Sequence, residues 1–96
     1  DIVGSEPLVA TIYQNPTKTG DTYPVHINFQ LKNGMPVRIE VFNLNGQVIR
    51  VLRDHEYFSQ GSHIVHLQAN QWQKGMYFVK LSSGKGTVSL PLLITD

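Results

Sequence analysis

Hydrophobic and polar residues alternate along most of the chain, and no stretch repeats at the ~3.6-residue period of an amphipathic helix. The alternation is cleanest where Val25, Ile27, Phe29 and Leu31 point one way and His26, Asn28 and Gln30 the other. Val37, Ile39 and Val41 against Arg38 and Glu40 repeat the pattern. Seven strands are predicted: Leu8–Tyr13, Val25–Leu31, Val37–Asn43, Gln47–Arg53, Ser62–Gln68, Met76–Ser82 and Thr87–Ile94. Strands of this length and spacing predict an all-β fold, a seven-stranded antiparallel immunoglobulin-like β-sandwich with Greek-key wiring.

The turns predict registers. Leu44-Asn45-Gly46 reads as a three-residue hairpin loop with Gly46 left-handed. That loop sets Val41 opposite Ile49 and Ile39 opposite Val51, all inward, with Glu40 facing Arg50 outside. Ser83-Gly84-Lys85-Gly86 as a loop pairs Leu81 with Val88, Val79 with Leu90 and Tyr77 with Leu92. Pro91 cannot donate to a ladder, so the last strand is expected at an edge or bulged. Asn33-Gly34 invites a tight hairpin, but a two-residue loop would oppose Phe29 to Arg38 and Ile27 to Glu40. Because a one-residue slip flips whole faces, the second and third strands are expected in different sheets. Residues 1–7 lack alternation and read as a linker before a sandwich at 8–96. Asn15 to Gly20 and Asp54 to Gly61 read as loops.

The chain's 96 residues fit one domain. Its net charge of +1 comes without a basic run, which argues against nucleic acid as a partner. It contains no cysteine, which removes disulfide frameworks and thiolate metal sites. No apolar stretch approaches the ~20 residues of a membrane helix.

Catalytic chemistry finds no footing, so no enzymatic activity is expected. His63 and His66 are three apart, a spacing that sends their rings to opposite faces of a strand. His26 and His55 add no ligand spacing, and Asp54-His55-Glu56 lacks the oxygen-rich pattern of a calcium loop. No metal or cofactor is expected. Ser59, Ser62, Ser82 and Ser83 lie outside any nucleophile elbow, and Gly84-Lys85-Gly86 lacks the strand–loop–helix context of a phosphate loop. Tyr13, Phe29 and Tyr77 fall on inward positions. Trp72 reads as a plug over one end of the sandwich, or as a sugar-stacking platform together with Tyr57 or Phe58.

Several pieces occur in a recognisable order. They are Tyr13-Gln14-Asn15-Pro16, the run from Val37 to Ile49 with its Asn43-Leu44-Asn45-Gly46 hairpin, Gly61-Ser62-His63, Lys74-Gly75-Met76-Tyr77-Phe78-Val79-Lys80-Leu81, and a short terminal strand from Leu90 to Ile94. From about Leu8 to Asp96 the chain resembles the type A C-terminal sorting domain of the type IX secretion system of Bacteroidetes. It departs from the usual pattern at Gln14, at Trp72, and in a last strand without basic residues. The resemblance implies a β-sandwich recognised by the outer-membrane translocon and commonly removed by a sortase. It implies passage through the periplasm to the cell surface or medium, behind an N-terminal cargo domain. It assigns Gly75, Tyr77 and Lys80 to one signature motif and Leu92, Leu93, Ile94, Thr95 and Asp96 to the terminal one. Cleavage is expected near Val3, Gly4 and Ser5. An edge strand could also support a dimer. The alternatives are a structural immunoglobulin-like module of a secreted enzyme and a carbohydrate-binding module.

Overall fold

The computed structural model describes residues 9–13, 17–18, 25–69, 72–84 and 86–95. The linker at 1–7, including Val3, Gly4 and Ser5, lies outside the described residues, as does Asp96. Eight strands run in chain order: β1 (Val9–Tyr13), β2 (Thr17–Lys18), β3 (Val25–Leu31), β4 (Met35–Asn43), β5 (Val48–Phe58), β6 (Gly61–Leu67), β7 (Gly75–Ser83) and β8 (Gly86–Thr95). They form a three-stranded sheet ordered β1-β3-β6 and a five-stranded sheet ordered β2-β8-β7-β4-β5. All pairings are antiparallel except the two-residue β2, which lies parallel to the end of β8. Seven strands match the expected ones, and β2 is an addition inside the expected loop at 15–20.

The two sheets pack face to face over one core. β3 contributes Val25, Ile27, Phe29 and Leu31, and β6 contributes Val65 and Leu67. Facing them are Val37, Ile39 and Val41 of β4, Val79 and Leu81 of β7, and Leu92 of β8. Each fully buried aliphatic side chain contributes about 1.5–3 kcal/mol against the entropy of ordering the chain. The β3–β4 connection crosses between the sheets, as the disagreement of faces around Asn33-Gly34 required. At this crossing a β-carbon on Gly34 would meet the hydroxyl end of the exposed Tyr57, which would swing aside to admit it.

The β7–β8 hairpin has the expected register: Leu81 opposite Val88, Val79 opposite Leu90, Tyr77 opposite Leu92. The ladder extends one pair further, to Ser83 and Gly86. The β4–β5 hairpin turns as expected but then departs. Asn43 N–H donates to the Gln47 carbonyl at 3.0 Å, enclosing Leu44-Asn45-Gly46, with Gly46 at φ +82°. The next pair is Phe42 with Val48, after which the register shifts three times. Val41 therefore faces Arg50, Glu40 faces Val51, and Ile39 faces Arg53. The expected pairs Val41–Ile49, Ile39–Val51 and Glu40–Arg50 do not form. Ile49 and Val51 are 41% and 43% exposed.

The reason is position. β5 is the outer strand of its sheet, with only β4 beside it, so extra residues can bulge outward without displacing another strand. His55, at φ +56°, lies within one of these irregularities. β5 consequently continues to Phe58, through the residues expected to form a loop from Asp54, and only 59–60 separate it from β6.

The bulged register separates two residues that the unbulged one would bury together. Ile39→Ala is expected to lower unfolding free energy by ~2–5 kcal/mol, whereas Val51→Ala costs less than ~1 kcal/mol. Denaturant titration of the two variants measures this, and equal losses would restore the unbulged pairing.

Candidate recognition surface

The two signature stretches are neighbouring strands. Gly75 pairs with Ile94, Met76 with Leu93, Tyr77 with Leu92, and Lys80 with Ser89. β7 is flanked by β4 on its other side, so this signature occupies an interior strand of the five-stranded sheet. Gly75 opens the strand at φ +148°, a conformation that L side chains rarely adopt. Tyr77 is half-buried, and its hydroxyl donates to the Gln73 carbonyl at 2.7 Å. Lys80 points outward beside Phe42, its Nζ 5.6 Å from the ring centroid.

Strand alternation divides the terminal motif. Leu92 and Ile94 are buried in the core, whereas Leu93 is 37% exposed on the outer face. Thr95 closes β8 and pairs with Lys18 of β2.

The hairpin motif lies at the same end of the sandwich. Asn43 is required there by its side chain: Oδ1 accepts from Asn45 N–H at 2.9 Å and from Gln47 N–H at 3.0 Å. Its Nδ2 donates to Gln47 Oε1 at 3.0 Å, and Gly46 N–H donates to the Asn43 carbonyl at 3.0 Å. The loop is thus held from both sides. Between it and the segment entering β7 lies a cleft of about 540 Å³, lined on one side by Asn43, Leu44, Asn45 and Ile49 and on the other by residues 72–77.

Trp72 packs against the core from this end. Its backbone N–H donates to the Ala69 carbonyl at 3.1 Å, and its ring lies 5.2 Å from that of Tyr77. Arg50 sits over it, its guanidinium carbon 5.7 Å from the ring centroid. These contacts fit a plug. Tyr57 and Phe58 pair with Pro36 and Met35 at the opposite end, so neither shares a platform with Trp72. Phe58 instead packs edge-on against Phe29 at 5.1 Å.

The histidines separate as strand geometry requires. His63 packs on Phe29 and Phe58, its Nε2 donating to the Ser59 carbonyl at 2.7 Å. His66 lies on the other face, edge-on to His26 at 4.6 Å. Among the described residues no three His, Cys, Asp or Glu side chains gather as a metal site would need. No helix is long and apolar enough to cross a membrane.

One charged cluster escaped the sequence reading. Arg38 pairs with Glu40 at 3.0 Å and with Asp54. The hydrogen bond to Glu40 holds the Arg38 guanidinium above its ordinary pKa, and the charge of Asp54 adds to the effect. The signal was available for half of it, since Arg38 and Glu40 are two apart on one face of β4. The bulges of β5 bring Asp54 nearly opposite Arg38. Arg53 pairs with Glu56 at 3.3 Å.

Two packed sheets carrying these motifs define an all-β domain. A family profile described as a secretion system C-terminal sorting domain matches residues 11–95. The chain belongs to that family, whose members are the C-terminal sorting signals of type IX secretion. No curated protein matches it. Membership implies interaction with the type IX machinery and export to the cell surface or medium.

The terminal motif separates into a folding half and an exposed half, which can be tested on the isolated chain. Leu92→Ala is expected to cost ~2–5 kcal/mol, and Leu93→Ala less than ~1.5 kcal/mol. Thermal unfolding of both variants reads the difference; comparable losses would mean that Leu93 is also a core residue.

Proposed function

We propose that the folded sandwich is the form recognised by the outer-membrane translocon, during transit through the periplasm and while attached to a cargo domain on its N-terminal side. The observation that carries this reading is the extent of the family match, which runs from β1 through β8 and so includes both sheets. A short linear tag would not need Gly75, Tyr77 and Leu92 placed on adjacent strands. The strand orders β1-β3-β6 and β8-β7-β4-β5, with crossings at β3–β4, β5–β6 and β6–β7, support immunoglobulin-like Greek-key wiring. A sortase then acts in the linker near Val3, Gly4 and Ser5, outside the sandwich. The domain supplies no catalysis of its own. Any dimer would form through β1, β6 or the part of β8 that β2 does not pair with, because the bulges make β5 a poor template for strand addition.

The reading as a structural module of a secreted enzyme has one observation behind it. Val9 and Ile64 are exposed on the outer face of the three-stranded sheet beside Asn28, where a neighbouring domain could cover them. The carbohydrate reading weakens because Arg50 and Tyr77 both lie against Trp72.

A reporter fused ahead of this chain in a type IX-competent bacterium tests the proposal. The full fusion is expected at the surface or in the medium. Deletion of Leu92 to Asp96 removes two core residues as well as exposed ones, so Leu93→Glu is the companion variant that keeps Leu92 and Ile94. A full fusion that folds yet stays in the periplasm would return the domain to a structural role.

A further inference from the structure

We propose that the cleft between the β4–β5 hairpin and the segment entering β7 is a docking site for a protein component of the export machinery, which presents there an apolar side chain beside a carboxylate. This rests on the reading that the translocon recognises the folded domain.

Geometry gives the first reason. The hairpin at 43–46 and the segment at 72–77 are distant in sequence, yet they line one cleft, and Gly75 pairs with Ile94 at the same end. β1 begins at Val9, opposite Gln30, near the end where Leu31 meets Gly61. That end is continuous with Met35 and Phe58 and lies away from the cleft. The described part of β1 therefore begins, at Val9, at the end opposite the cleft.

Exposed apolar surface gives the second. Leu44 at the hairpin tip is 69% exposed, and Ile49, at the first register shift of β5, is 41% exposed. Both line the cleft with Met76. The Asn43 hydrogen bonds hold the hairpin in place, so little ordering is required on binding.

Charge gives the third and selects the partner. Arg38 lies against Glu40 and Asp54, and Arg53 against Glu56. Arg50 has no carboxylate among the described residues and lies over Trp72. None of the described residues lining the cleft is acidic. A guanidinium oriented on an aromatic ring beside apolar surface can form a bidentate pair with a carboxylate as water is excluded, the kind of contact that dominates interfaces.

The reporter fusion tests the site with four substitutions. Arg50→Glu and Leu44→Asp are each expected to lower surface reporter about tenfold or more, because like charges or a buried carboxylate would oppose docking. Arg50→Lys retains the cation and is expected to export clearly better than Arg50→Glu. Ile64→Asp, on the outer face of the other sheet, is expected to change export by less than about twofold. Purified chains should melt within about 3 °C of the parent, so that export rather than folding is read. Unchanged export of Arg50→Glu overturns the carboxylate, and unchanged export of Leu44→Asp overturns the cleft. An equal loss with Ile64→Asp, or Arg50→Lys no better than Arg50→Glu, likewise overturns it. A dimer in sedimentation that Leu44→Asp dissolves would make the occupant a second copy and overturn the assignment. Failure of the parent fusion to leave the periplasm overturns the translocon reading itself, and this proposal with it.

Discussion

The structure depends on the pairing of β4 with β7. This is the central ladder of the larger sheet, and it runs from Val37–Ser83 to Asn43–Tyr77 without a register shift. It places Val37, Ile39 and Val41 beside Val79 and Leu81 on one inward face, all of them fully buried. A slip of one residue would turn the inward set of the strand that moved to solvent, bringing Arg38 and Glu40 inside if β4 moved, or Lys80 if β7 did. Nothing comparable constrains β5, which touches the sheet along one edge only. Order at the centre and irregularity at the margin follow from one energetic rule: register is enforced where both neighbours and a core demand it.

The same rule explains how much of the fold was legible in the sequence. The faces of β3 and β4 were readable because each has one buried side and a clean alternation. Their assignment to different sheets followed from the clash of faces around Asn33-Gly34. The β7–β8 register was readable because both strands carry an unbroken inward series. The β4–β5 hairpin was readable through its turn, where Gly46 and the Asn43 side chain act locally, and no further. Bulges leave little mark on the alternation of Ile49, Val51 and Leu52, since an apolar residue on an edge strand costs little whichever way it points. The two-residue β2 has no pattern to detect.

The functional residues divide along the same line. Gly75, Leu92 and Ile94 have complete structural reasons for their identities: a positive φ at the start of a strand, and burial. Tyr77 has a nearly complete one, through its ring contact with Trp72 and its bond to Gln73. A signature built from such positions reports the fold as much as the recognition event. The positions with an incomplete structural account lie elsewhere. Lys80 and Leu93 face outward, Leu44 and Ile49 line one cleft, and Arg50 lies over Trp72 beside it. None of this latter group stands out by residue type, because a leucine at a turn tip and an arginine on an edge strand are ordinary in sequence. Only the bulged register brings them together.

That register is therefore more than an imperfection of pairing. Without it, Ile49 would lie opposite Val41 as a core residue, and Arg50 would point outward opposite Glu40, a carboxylate to pair with. With it, Glu40 is held by Arg38, while Arg50 is carried over Trp72 at the end of the sandwich. The shift gives up the burial of one isoleucine and one charge pair. In exchange it blunts an exposed edge against strand addition and leaves an apolar residue and a cation side by side at the end away from Val9. An edge strand in a domain whose task is to be recognised has to resist indiscriminate pairing and still offer a specific surface, and the shifts in β5 satisfy both demands.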